Sequence, residues 1–111
     1  MTGGFAQIFD HIEQTRYLLY GIFESGLASA RNVSPALGEC GKTAGELGMP
    51  GGAKLLAALD AALREVAAGQ AGIDRAALAY SNALWYYNTV ADMLVVETMA
   101  ARGQNNQTSQ P

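Results

Sequence analysis

The chain is expected to fold as an all-α bundle of about four helices, and three observations lead there. Apolar residues recur at alternating steps of three and four in long stretches, the spacing of one helix face. Ala and Gly dominate while Val and Ile are scarce, which removes the β-branched residues that strands favour. Two Gly-rich breaks, at 48–52 and 69–72, divide the chain into segments of helix length. With 111 residues, half of them hydrophobic, the chain is one domain's worth. A domain of that size buries well under three quarters of its unfolded surface, so its stability is modest or shared with a partner.

The first helix is expected over 4–30. Phe5, Ile8, Ile12, Thr15, Leu19 and Ile22 form its seam. Phe9, Arg16 and Phe23 flank that seam, and Tyr17, Leu18 and Tyr20 widen the apolar surface beyond one stripe. Ser34-Pro35 reads as the start of a second helix, with Ser as cap and Pro in the first turn. This helix would reach Leu47 with Leu37, Cys40, Ala44 and Leu47 on one face, weakened by Gly38, Gly41 and Gly45. A third is expected over 53–68, with Leu55, Leu56, Leu59, Leu63 and Val66 buried and Asp60–Arg64 as a favourable i,i+4 pair. Asp74 would cap a fourth helix over 75–101, whose seam is Ile73, Ala77, Tyr80, Leu84, Tyr87, Ala91, Leu94 and Thr98. The single domain would then span 1–103, followed by a disordered polar tail over 104–111.

All nine aromatic residues fall in the first and fourth helices, and none lies between Val33 and Ala79. These two helices are therefore expected to pack antiparallel and to carry the bulky core, with the smaller middle helices closing over them. Both are apolar over more than the stripe a monomeric bundle needs, roughly 100° wide. Surplus apolar surface marks an interface. Phe9, Tyr17, Tyr20, Phe23, Tyr80, Trp85, Tyr86 and Met93 are the residues expected to form that interface. The alternative is an aromatic-lined pocket for a small molecule between the same two helices.

Charge and composition narrow the function classes. The net charge is −3, and the seven basic residues are scattered, with Lys42 and Lys54 the two lysines. Nucleic-acid binding needs clustered cations that displace counterions, so neither a nucleic acid nor an anionic membrane is the expected partner. The longest apolar stretch, 76–96, is interrupted by Ser81, Asn82, Asn88 and Asp92, which makes it a core helix rather than a membrane span. The first residues carry neither a basic nor an apolar targeting segment, and the one cysteine cannot form an internal disulfide, so a cytoplasmic location is expected.

The candidate chemistry is sparse. Ala36-Leu-Gly-Glu-Cys-Gly-Lys-Thr43 resembles a relaxed phosphate-binding loop, in which Lys42 would reach phosphate oxygens and Thr43 would hold Mg²⁺. That loop must follow a strand, and Pro35 stands where the strand would end. Cys40 lies in phase with Leu37, Ala44 and Leu47 and reads as a buried small hydrophobe. His11, the one histidine, falls off the main seam and is expected to be solvated; alone it cannot build a zinc site. Asp92, Glu97, Glu13 and Glu24 read as surface or ion-pair carboxylates, with Arg16 and Arg31 as partners across the helix pair. No cofactor and no catalytic group is assigned, and the expected function is a non-catalytic interaction or assembly module such as an adaptor, a chaperone or a small structural subunit, acting through the first and fourth helices as a homo-oligomer or on a helical protein partner.

Overall fold

The computed structural model is an all-α bundle. It describes the backbone of residues 2–29 and 32–109 and the side chains of residues 6–28 and 32–101. Four α-helices, α1 (Thr2–Ser25), α2 (Ser34–Glu46), α3 (Pro50–Ala67) and α4 (Ile73–Ser109), follow one another, with a 3₁₀ turn at Leu27–Ser29. No strand occurs among the described residues. The helices form a ring in which α1 lies beside α4 and α2, and α3 lies beside α2 and α4. Along α1, His11 meets Tyr87, while Leu19 and Phe23 meet Tyr80. The partner number falls as the α1 number rises, so α1 and α4 run antiparallel as expected.

Helix ends follow backbone chemistry. α1 stops at Ser25, short of the expected residue 30, because Gly26 takes a φ of +89° and its amide turns back to the Phe23 carbonyl. α2 and α3 both end on a left-handed glycine with the paired bonds of a Schellman motif. Gly48 bonds to Gly45 and Met49 to Ala44; Gly69 bonds to Val66 and Gln70 to Glu65. The glycines inside α2 do not break it.

Three expected starts shift. Ser34 does not cap α2; the cap position is Val33 and makes no side-chain bond. The Ser34 hydroxyl instead donates to Asp60 at 2.5 Å and accepts from Arg64, tying the start of α2 to the middle of α3. The expected Asp60–Arg64 ion pair is present at 3.2 Å. α3 begins at Pro50, not 53, so Gly51 and Gly52 are helical. The rings of Tyr86 and Tyr87 lie against them, and a Cβ on Gly52 would stand 2.6 Å from Tyr87 Oη. Glycines that read as a loop are there for close approach. Finally, α4 begins at Ile73, which puts Asp74 in its first turn beside the positive end of the helix dipole rather than at the cap.

The core gathers Ile12, Leu19 and Ile22 from α1, Leu37 and Ala44 from α2, Leu56, Leu59, Ala62 and Leu63 from α3, and Ala76, Tyr80, Ala83 and Tyr87 from α4. Its bulk therefore comes from α3 leucines as well as from α1 and α4. Tyr80 and Tyr87 are the buried aromatics among the described side chains, while Tyr17, Tyr20, Phe23 and Trp85 lie outside it. Phe5 of the expected seam and Arg31 fall outside the described side chains, as does the expected polar tail, 104–111.

The shape is elongated, 66 × 22 × 19 Å. The first turn of α3, at Gly51 and Gly52, meets α4 at the level of Tyr86 and Tyr87. Past that level, α4 runs beside the first turns of α1 until α1 begins at Thr2, and then continues beyond it to Ser109. One half of the molecule is thus four helices in section, and the other thins from the α1–α4 pair to α4.

Candidate functional site: the α1–α4 face

His11 overturns the expectation that it is solvated. It is 3 % exposed, with Nε2 2.7 Å from Tyr87 Oη and Nδ1 3.4 Å from Thr15 Oγ1. Thr15 is itself fully buried. A neutral imidazole offers one donor and one acceptor, and a hydroxyl can be either. Thr15 and Tyr87 therefore partner both ring nitrogens whichever carries the proton. The histidine and tyrosine rings meet edge to face at 5.3 Å, and Tyr86 meets Tyr87 in the same way at 5.2 Å. Burial drives the His11 pKa below its ordinary 6.5 and the Tyr87 hydroxyl well above its usual range. Both groups are thus held neutral, as a hydrogen-bonded pin between α1 and α4. The sequence signal for this pin was Thr15, a polar residue within an apolar seam, four residues from His11 and so on the same face.

The outward side of the α1–α4 pair is different in kind. Phe9, Arg16, Tyr20 and Phe23 occupy one flank of α1 at helical spacing; Ala77, Ser81, Leu84, Asn88, Ala91 and Val95 occupy the facing flank of α4. Toward the closed end, Tyr20, Phe23, Leu27, Ala77, Tyr80, Ser81 and Leu84 line an apolar groove of about 450 Å³. Phe23 stacks on Tyr80 at 6.1 Å yet stays 67 % exposed. The Tyr80 hydroxyl donates to the Leu19 carbonyl at 2.6 Å, which fixes the groove floor. Midway lies a polar break. Arg16 pairs with Glu13 at 3.6 Å, donates to Tyr20 at 3.4 Å and feels Asp92 across the pair, and its pKa is raised, first by the Tyr20 bond. Arg16 Nε and Asn88 Oδ1 are buried with no bonding partner among the described residues.

The residues expected to form an interface divide into two groups. Tyr17, Tyr20, Phe23, Trp85 and Met93 are exposed. Tyr80 is buried beneath the groove, and Tyr86 and Phe9 are half-buried, with Tyr86 against Gly51 of α3. Leu78, Val95, Val96 and Met99 of α4 also stand exposed. Val95, Val96 and Met99 were missed because helical spacing alone does not say where the middle helices stop; Leu78 is exposed even though it lies beside α3.

The chemistry-bearing motifs take ordinary places. Residues 36–43 lie wholly inside α2, so no loop is available there to cradle a phosphate; Lys42 is exposed and Thr43 half-buried. Cys40 is half-buried against the core. Among the described residues, no group of three His, Cys, Asp or Glu side chains could hold a metal ion. No described helix is long and apolar enough to cross a membrane. No family model matches the chain, and no curated protein or solved structure is significantly similar to it.

Proposed function

We propose that the chain is a non-catalytic helical interaction module that self-associates or docks on a helical protein through α1 and α4. The observation that carries this reading is the exposure of large apolar side chains along both helices. Tyr17 is 82 % exposed, and Phe23 and Trp85 are each 67 % exposed. Aromatic residues in that setting are the usual anchors of protein interfaces, and the pin beneath them keeps the pair rigid. Trp85 is the single tryptophan, so its fluorescence reports on this surface alone. On assembly its emission shifts to the blue and acrylamide quenching drops. Emission that stays solvent-like at every concentration and with every helical partner tried would count against the reading.

A second reading rests on the groove lined by Tyr20, Phe23, Tyr80 and Leu84, which has room for a small apolar molecule. A hydrophobic dye that binds the wild type and is lost in Leu84→Asp, together with a ligand-induced rise in melting temperature, would favour it.

A further inference from the structure

Resting on the interaction reading, we infer that the groove between α1 and α4 receives a basic amphipathic helix of another protein, with apolar anchors against Phe23 and Leu84 and Lys or Arg flanks against Glu13, Glu24, Asp74 and Asp92. The shape of the groove argues for a helix. Tyr20, Phe23 and Leu27 wall it from α1, Ala77 and Leu84 wall it from α4, and it holds about 450 Å³. From Ala77 to Leu84 it follows two turns of α4, about 10 Å at the helical rise. Apolar residues one and two turns apart on a facing helix cover the same length. Both walls are helices, whose backbone amides bond within their own helix. An extended peptide would find no sheet edge to pair with there, whereas a helix arrives with its backbone already satisfied.

The edges of the groove set the chemistry of the occupant. Glu13, Tyr17, Tyr20 and Glu24 follow one another by steps of four, three and four along the outer edge of α1. Asp74, Ser81, Trp85 and Asp92 follow by steps of seven, four and seven along that of α4. Each edge is thus aromatic toward its middle and acidic at both ends. All four carboxylates are exposed, Glu13 with 72 % of its side chain accessible. Among the described side chains Arg16 is the one cation on this face, and it is committed to Glu13 and Tyr20. Arg64 pairs with Asp60 and Arg75 turns to Glu65, while Lys42 and Lys54 lie on α2 and α3. An apolar centre inside a charged rim is the anatomy of a protein interface, and a rim of one sign favours a partner of the other. A second copy seated groove on groove would set these carboxylates against their own kind. The groove ends at Leu84, short of the exposed stretch 93–99, so its occupant is independent of what lies against that stretch.

The test uses the full chain and two synthetic peptides about 18 residues long, enough to form a helix. Neither contains tryptophan, and both carry the same leucine stripe, flanked in one by lysine and in the other by glutamate. Binding is read from Trp85 emission and from the fluorescence anisotropy of labelled peptide. The lysine peptide is expected to bind about tenfold more tightly than the glutamate peptide or better, and its affinity to fall as salt is added. Glu24→Lys/Asp74→Lys should weaken it by about tenfold and flatten the salt dependence. Phe23→Ala should weaken it at every salt concentration. Glu39→Lys/Glu46→Lys, the same change of charge on exposed positions of α2, should leave it unchanged. Far-ultraviolet circular dichroism checks that each variant is folded. Equal binding of the two peptides overturns the inference and leaves the interaction reading standing without a charge preference. Equal losses from the α2 pair and from Glu24→Lys/Asp74→Lys overturn it as well, since the attraction then belongs to the acidic chain at large. Binding of neither peptide also overturns it; the interaction reading is then judged separately by whether Trp85 emission shifts with protein concentration, and a hydrophobic dye that still binds assigns the groove to a small molecule.

Discussion

The two halves of this molecule are built from the same two long helices and differ in what lies against them. Where α2 and α3 are present, the inward side chains of α1 and α4 are fully covered: Leu19, Ala76, Ala83 and Tyr87 have no solvent contact. Where they are absent, valines and methionines of the same helix α4 stand in water. The difference shows that α4 is not amphipathic in the ordinary sense. Its apolar residues are divided between the covered face, Ala76, Tyr80, Ala83 and Tyr87, and positions open to solvent, Met93, Val95, Val96 and Met99.

Substitutions should separate the halves by size of effect. The largest is expected at Leu56→Ala in the four-helix half. Removing a fully buried leucine leaves a cavity and costs about 2–5 kcal/mol, read as a fall in the urea midpoint; Val96→Ala, its counterpart in the other half, should change the stability of the dissociated chain by no more than about 0.5 kcal/mol. A comparable loss from both would erase the distinction.

Gly52→Ala comes next. The added Cβ would fall 2.6 Å from Tyr87 Oη, and the buried ring has its hydroxyl committed to His11. Forced movement of this kind costs about 1–3 kcal/mol. Gly45→Ala, where a Cβ meets nothing within 4 Å, should not destabilise and serves as the control. Tyr87→Phe removes one partner of the pin and leaves a buried His11 nitrogen unsatisfied, at about 1–3 kcal/mol. Both effects are measured by the same denaturant midpoint.

The pin also gives the four-helix half a pH dependence. Burial lowers the His11 pKa in the folded state below 6.5, so the unfolded chain binds a proton more readily than the native one. Stability from this group is therefore complete above the unfolded value and is lost as pH falls through it toward the folded value. Thermal melts from neutral to mildly acidic pH should show the wild type losing stability relative to His11→Gln. Parallel slopes for the two proteins would contradict a neutral, buried histidine. The smallest effect belongs to Arg75, whose ion pair with Glu65 is largely exposed; Arg75→Ala should cost no more than about 1 kcal/mol.

Most of the architecture was legible because it rests on spacing. The seams of α1 and α3 and the Asp60–Arg64 link follow from steps of three and four, and the antiparallel α1–α4 pair follows from the aromatic residues gathered in those two helices. What was not legible depended on a neighbour's reach. Gly51 and Gly52 carry no mark distinguishing a loop from a seat for tyrosine rings. Ser34 before a proline is a cap by local rule, but the local rule gave way to Asp60, 26 residues away. His11 sits at the edge of its seam, and only the position of Tyr87 places it inside. On the candidate site, the surplus of apolar residues already pointed to exposed side chains such as Tyr17, Phe23 and Trp85, whereas Met99 and Val96 required knowing where α3 begins.

Amide hydrogen exchange at low and high protein concentration is the most direct measurement of the proposal that the chain self-associates through α1 and α4. In dilute solution residues 90–101 should exchange much faster than 55–63, and at high concentration they should slow markedly while 55–63 remain unchanged. Exchange over 90–101 that is independent of concentration, or already as slow as that of α3 in dilute solution, would contradict it.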